Sequence, residues 1–277
     1  NTSATITVIT GGAACGASVL SFAGDASVTN SGDIDVATSA GKYYNAAGIV
    51  AFAGNGSAYV DNSGNVSATS DGAKYSSARA VDAQGQLGVT VNNSGSLYAN
   101  GVGGAYGVYA LSSGGDVSVT NADGGEIGFY SYIGNGFGVL GIAYTGDVNV
   151  INHGAIEGYA YGQAAGVFGV ALEGDVGITN SGSISVSTGG SVAVGVFARA
   201  DYGTASVGNS GDIWTSVEGV NGYIGDDAYG ILARGEYAEV GNSGSIYAFG
   251  IYSATGIAAR SYYGTTITTT ATSEIEA

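Results

Sequence analysis

Apolar and small residues alternate with polar ones in short runs, and a recurring break separates the runs. In the stretch Gly174 to Thr188, Val176 and Ile178 alternate with Gly177 and Thr179. The chain then breaks at Asn180-Ser181-Gly182, and Ile184 and Val186 resume the alternation. A period of two marks a strand with one buried face, so the phrase predicts two short strands meeting at a corner.

The corner recurs at Asn30, Asn62, Asn93, Asn121, Asn152, Asn180, Asn209 and Asn242, mostly as Asn-Ser-Gly, at intervals of 28 to 33 residues. Three strand-like pieces repeat within each interval. The first follows the corner, as in Ile34-Asp35-Val36 or Ile184-Ser185-Val186. The second reads Gly-Ile/Val-x-Ala/Gly, as in Gly48-Ile49-Val50-Ala51 or Gly166-Val167-Phe168-Gly169. The third leads into the next corner, as in Val117-Ser118-Val119 or Val148-Asn149-Val150. Each piece is too short to stand alone, but stacked on its copy one period later it joins a long parallel sheet. The pattern predicts a single all-β domain over 1–277: a right-handed parallel β-solenoid, or β-helix, with three sheets and about nine rungs of roughly 30 residues. A propeller blade, the main rival, carries four strands and a longer period. No stretch has a helical period.

The repeated Asn slot follows from stacking. A side-chain amide both donates and accepts, so identical Asn residues one rung apart form a ladder. The Gly two positions later is expected to permit the tight corner.

The phrase small-Gly-Ile-x-Ala … Gly-Asp-x-Val-x-Val-x-Asn-Ser-Gly-x-Ile, repeated along essentially the whole chain, resembles the passenger β-helices of bacterial autotransporter adhesins and related surface repeat proteins. The resemblance implies a secreted, extracellular or cell-surface protein with an adhesive role. No stretch reads as the translocator barrel of that family.

Composition narrows the function classes. The chain has 52 Gly, 20 Tyr, no Pro and one each of Cys, His and Trp, with a net charge of −16 and only six Lys and Arg. Nucleic acid is excluded as a partner by the lack of basic clusters. The uncharged run from Ile127 to Gly146 is long enough to cross a bilayer, but it is laced with Gly and alternates like strands, so it does not read as a membrane-spanning helix. A start at Asn1, without Met, reads as a trimmed secreted product or an excised piece.

Candidate chemistry is sparse, and no cofactor is expected apart from Ca²⁺. His153 stands alone, without a second His or Cys to share a transition metal, and Cys15 reads as a small core or turn residue. Asp226-Asp227, the one adjacent acidic pair, lies in the longest loop and reads as a solvated tip or as paired carboxylates. Gly-Asp recurs before the third strand at Asp25, Asp116, Asp147 and Asp175. Stacked carboxylates repel, and either a Ca²⁺ ion on Asp116, Asp147 and Asp175 or hydrogen bonds to turn amides would relieve that. Arg199, Arg234 and Arg260 share one slot in three rungs, to bind an anion or to pair with Asp201, Glu236 or Glu239; Lys42, Lys74 and Arg79 are the other cations. Tyr43, Tyr44, Tyr75, Tyr106, Tyr130, Tyr132, Tyr159, Tyr161, Tyr223 and Tyr229 crowd the segment between first and second strands, where they suit sugar rings, neighbouring filaments or simple packing.

The second strand is apolar on both sides. Its outward candidates are Leu20/Phe22, Val50/Phe52, Tyr109/Leu111, Leu140/Ile142 and Phe168/Val170, interrupted by Asp82/Gln84 and followed by Phe197 and Leu232. A sheet apolar on both faces is normally covered on both, so this row is expected to be a lateral contact face, buried by loops or by a second chain.

The ends carry the last expectation. Asn1-Thr2-Ser3 and Ala271-Thr272-Ser273 occupy the corner slot, giving nine turns plus a surplus first strand. Copies joined head to tail through Ile6, Val8, Ile267 and Ile275 would form a filament, with residues 1–10 as the segment exchanged between neighbours. The functional expectation is an extracellular, non-enzymatic rod in a surface or biofilm filament, with a glycan or host surface as further partner. The alternatives are a monomeric passenger adhesin fragment, a polysaccharide-processing β-helix enzyme, and an ice-binding solenoid drawing on Thr265, Thr266, Thr268, Thr269 and Thr270.

Overall fold

A computed structural model describes residues 5–38, 44–72, 75–218, 227–270 and 274–276. Among them every regular element is a β-strand and every strand pairing is parallel. The chain winds through nine turns, each supplying one strand to each of three faces, and Glu274–Glu276 lies on the first face as a tenth level. At about 4.8 Å per turn the nine levels span ~40 Å. The first face is a sheet of ten strands running from Thr5–Thr10 to Glu274–Glu276. The second and third faces form one hydrogen-bonded sheet of sixteen, not two, because Asp227–Asn242 and Ser253–Thr269 cross the intervening corner as unbroken strands.

Inward residues are small and stack on residues of similar size. Val and Ile alternate with Ala around a narrow interior, and most of them are under 3% exposed. Where one is enlarged, its neighbours shrink. Phe129 points into the core, and the positions its ring would otherwise meet are Gly136 and Gly158. Val148 and Val176 face Gly141 and Gly169, whereas Ala58 and Ala205 share their turns with Ala51 and Ala198. Close packing tolerates neither voids nor excess, which explains these pairings, although Val89 and Val117 share their turns with Ala83 and Ala110.

The eight corner Asn residues form a continuous ladder. Each Nδ2 donates to the Oδ1 one turn later, at 2.7 to 2.9 Å, through all seven steps from Asn30 to Asn242. Each Nδ2 also donates to a carbonyl of its own corner, usually that of the Gly two residues on. From Asn62 onward the ladder is buried. The turn of Asn121 has a longer corner, Asn121 to Gly125, with Gly124 at φ +78°.

The corner Gly has a different origin from the one expected. Among the described residues only Gly88 and Gly124 have positive φ. At Gly64, Gly182 and Gly244 a β-carbon would instead run into the backbone carbonyl of the corner Gly one turn below. Stacking distance, not handedness of the backbone, excludes a side chain there.

Candidate functional site

Three outward features remain once core and ladder are accounted for: the Asp row, the apolar flank of the second face, and a groove on the first face.

The Asp row is hydrogen-bonded from turn to turn. Oδ1 of Asp25 accepts from the backbone N–H of Ser57, Asp116 from Asp147, Asp147 from Asp175, and Asp175 from Thr204, at 2.7 to 2.9 Å. Each carboxylate thus satisfies an amide of the next turn, the second of the two ways of relieving repulsion. Among the described residues no three His, Cys, Asp or Glu side chains gather around a common point, Asp116, Asp147 and Asp175 included.

On the second face the register sorts the outward residues into two rows. One holds Ser18, Val50, Asp82, Tyr109, Leu140, Phe168, Phe197, Leu232 and Ala258. The other holds Leu20, Phe52, Gln84, Leu111, Ile142 and Val170, and then Arg199, Arg234 and Arg260. Phe22 stands beyond both rows, because Leu20 is the residue under Phe52. It touches Phe52 edge-on, with ring centroids 6.3 Å apart. The middle of the flank covers itself. The rings of Tyr106, Phe137, Phe168 and Phe197 follow one another at centroid distances of 5.6, 5.3 and 4.4 Å, and Leu140, Phe197 and Leu232 are buried. Towards the start of the chain the flank opens, and Leu20 and Phe22 are exposed. The polar interruption is neutralised locally: Arg79 reaches Asp82 at 2.5 Å, Gln84 donates to Asp82, and the guanidinium lies 4.4 Å over Tyr109.

A prediction separates the two parts. Leu140→Asp places a charge among Tyr109, Phe137 and Phe168 and should lower stability by ~3 kcal/mol in chemical denaturation. Phe22→Asp should leave stability within about 0.5 kcal/mol. Equal losses would mean that the flank is not self-packed.

The three arginines do share one slot. Arg199 is paired to Asp201 through two hydrogen bonds, of 2.6 and 3.0 Å. Arg234 lies over Phe197 at 5.7 Å, and Arg260 is exposed. Among the described residues neither Glu236 nor Glu239 forms an ion pair with them. Cys15 is not in the core: it faces outward, exposed, at the head of the line containing Arg79 and Tyr106, and partial burial raises its thiol pKa. His153 Nδ1 lies 2.6 Å from Ser181 Oγ, so it serves as a corner residue among serines. The Thr residues of 265–270 occupy a single exposed turn, stacked on Ala238, Glu239, Gly241 and Asn242 rather than on further threonines. Asp226, Lys42, Lys74, Tyr43, Tyr223, Asn1 to Ser3 and Ala271 to Ser273 lie outside the described residues.

The groove of the first face was not read from the sequence. Its central outward line runs Tyr98, Gly128, Glu157, Ser185, Trp214, one residue per turn. Gly128 lacks a side chain, and the ring of Tyr98 leans across it; Ser185 is short, so the line is recessed between that ring and Trp214, the two aromatics being 42% and 40% exposed. Ser96, Glu126 and Ala155 flank one side. Tyr130 and Tyr159, stacked at 5.2 Å and 24°, form the other side with Ser187. The open recess has a volume of about 500 Å³. Burial raises the phenol pKa of Tyr98 and Tyr159, so both hydroxyls stay protonated at neutral pH. Glu126 and Glu157 are exposed, and among the described residues no cation pairs with either.

No protein-family model, no curated protein and no solved structure matches this chain.

Proposed function

We propose that the protein is a non-enzymatic structural rod that works outside the cell, joins end to end with further copies, and carries an adhesive surface. The observation that supports this is the sameness of the outermost turns and the internal ones. Thr5–Thr10 pairs within its own chain on Asp33–Thr38, with Ile6 on Ile34 and Val8 on Val36. At the other end Ile267 continues the column of Val240, and Ile275 that of Ile246. Ile6, Ile267 and Ile275 are 38%, 47% and 41% exposed, although their equivalents inside the rod are buried. The inward columns of each outer turn thus match those inside the rod, so a turn of the same chemistry from another copy would pack on them.

The second reading is a monomeric passenger of the autotransporter-adhesin kind. It is favoured by the recurrence of that family's phrase as one complete solenoid turn.

Sedimentation velocity and negative-stain electron microscopy of the full chain distinguish the two. End-to-end joining predicts filaments whose length grows with concentration. Val8→Asp at one end, Ile267→Asp at the other, or removal of residues 1–10 should each abolish them, while circular dichroism still shows a folded rod. A monomer at high concentration would discard the joining and leave the passenger reading.

A further inference from the structure

We infer that the groove between Tyr98 and Trp214 is a binding site for a short oligosaccharide that carries amines, of the glucosamine type. It lies within one chain, so the inference stands apart from whether copies join end to end.

The shape gives the length. Tyr98 and Trp214 are four turns apart on one line; the Tyr98 ring leans over Gly128, which leaves three turns, about 14 Å at the strand spacing of a sheet, and the recess is straight because the turns are in register. A linear chain of a few sugar rings lying along the rod would meet an aromatic platform at each end and the Tyr130–Tyr159 wall along its side. The electron-rich face of an aromatic ring attracts the C–H face of a pyranose, for the same reason that it favours edge-on aromatic contacts. Ser96, Ser185, Ser187 and the protonated phenols can donate to and accept from sugar hydroxyls.

The charge gives the kind of sugar. Two carboxylates, Glu126 and Glu157, line the recess without a cationic partner among the described residues, in a chain of net charge −16. A uronate or sulfated chain would be repelled. A protonated amine would be held by charge-assisted hydrogen bonds, which are about twice as strong as neutral ones.

A peptide rich in lysine offers the same charge, but the floor disfavours it. Extended peptides gain affinity on sheets by pairing with an open edge. Here the floor is sheet interior: the strand Glu126–Ser131 is paired on both sides, with Ser96–Gly101 and Ala155–Ala160.

Trp214 is the chain's only tryptophan, so its fluorescence reports on this groove. The full chain is titrated with the glucosamine tetrasaccharide, its N-acetylated counterpart and tetralysine at low salt. The expected result is a saturable change in Trp214 emission with the glucosamine chain and binding weaker by about tenfold with the acetylated one. Glu126→Gln with Glu157→Gln should weaken the glucosamine chain by a similar factor. Ser185→Tyr, between Glu157 and Trp214, should fill the recess and remove binding. Should Ser185→Tyr not fold, Tyr159→Ser serves in its place, because it strips the aromatic wall from an already folded groove. No saturable change with either sugar overturns the site. Equal affinity for the acetylated chain, or no effect of the double Gln variant, overturns the amine. An equal response to tetralysine overturns the sugar in favour of a basic peptide.

Discussion

Asn152→Leu should be among the most destabilising single substitutions in this chain, lowering unfolding free energy by about 2–6 kcal/mol. Leucine matches the side chain in bulk but not in hydrogen bonding. The native amide is fully buried, accepts from Asn121 Nδ2, and donates to Asn180 Oδ1 and the Gly154 carbonyl. Gly154 O keeps the backbone N–H of Ser183, so it is not stranded. Asn180 Oδ1 is stranded and one N–H of Asn121 keeps only a long 3.4 Å contact to the Ala155 carbonyl, and each unsatisfied buried group costs ~1–3 kcal/mol. Position in the ladder should matter. Asn30→Leu removes the donor to Asn62 Oδ1 and the bonds to the Gly32 carbonyl and N–H, but it does so at a half-buried rung that water reaches, and should cost less. His153→Ser, one residue from Asn152, restores the usual corner and should be neutral. Urea denaturation followed by circular dichroism checks the series. An Asn152→Leu variant as stable as His153→Ser would mean that the ladder is ornamental.

The three strands, the corner row and the number of turns were legible because each rests on local alternation repeated at a fixed interval. Repetition also exposes the slots: Asn at one, Asp at another, Arg at a third; the register stacks the Asn and Arg sets turn on turn, but Ser57 and Gly88 separate Asp25 from Asp116. The failures share a cause. Placing Phe22 in the row of Phe52 needed the alignment of the first turn to within two residues, and there Gly16 is followed by Ala17 instead of Ile or Val. The groove was hidden because it belongs to no single turn. Tyr98, Gly128, Glu157, Ser185 and Trp214 are spread over more than a hundred residues, and outward positions project or recede only relative to the residue one turn away. Self-burial of Leu140 and Phe197 was hidden for the same reason. Alternation tells which side of the sheet a residue is on, not how far its neighbours along the rod cover it.

One row of glycines supports a second large prediction, and it concerns the inside. Gly16, Gly48, Gly107, Gly138, Gly166, Gly195, Gly230 and Gly256 begin the bend of the second face. At each of them a β-carbon would collide with a γ-methyl of the β-branched residue ahead on the first face, Ile34, Val66, Ile127, Ile156, Ile184, Ile213, Ile246 or Ile275. One turn departs. Its slot holds Ala80, fully buried, and the first-face residue ahead of it is Leu97. Leucine has no branch at the β-carbon, so the space taken elsewhere by a γ-methyl is left for the methyl of Ala80. The two departures therefore belong to one packing unit, and the chain already contains the rescued form of its own defect. Gly166→Ala alone should cost about 1–3 kcal/mol, since the new methyl meets Ile184 and lies 2.7 Å from the Gly195 carbonyl. Ile184→Leu alone, a volume-conserving swap, should cost less than about 1.5 kcal/mol. Together they should cost less than the sum, with a favourable coupling of ~1 kcal/mol in a double-mutant cycle. The reciprocal change tests the same contact from the other side: Leu97→Ile should be destabilising beside Ala80 and tolerated beside Ala80→Gly. Strict additivity in both cycles would show that the glycine row answers only to the carbonyl above it, and that the pairing of Ala80 with Leu97 is coincidence.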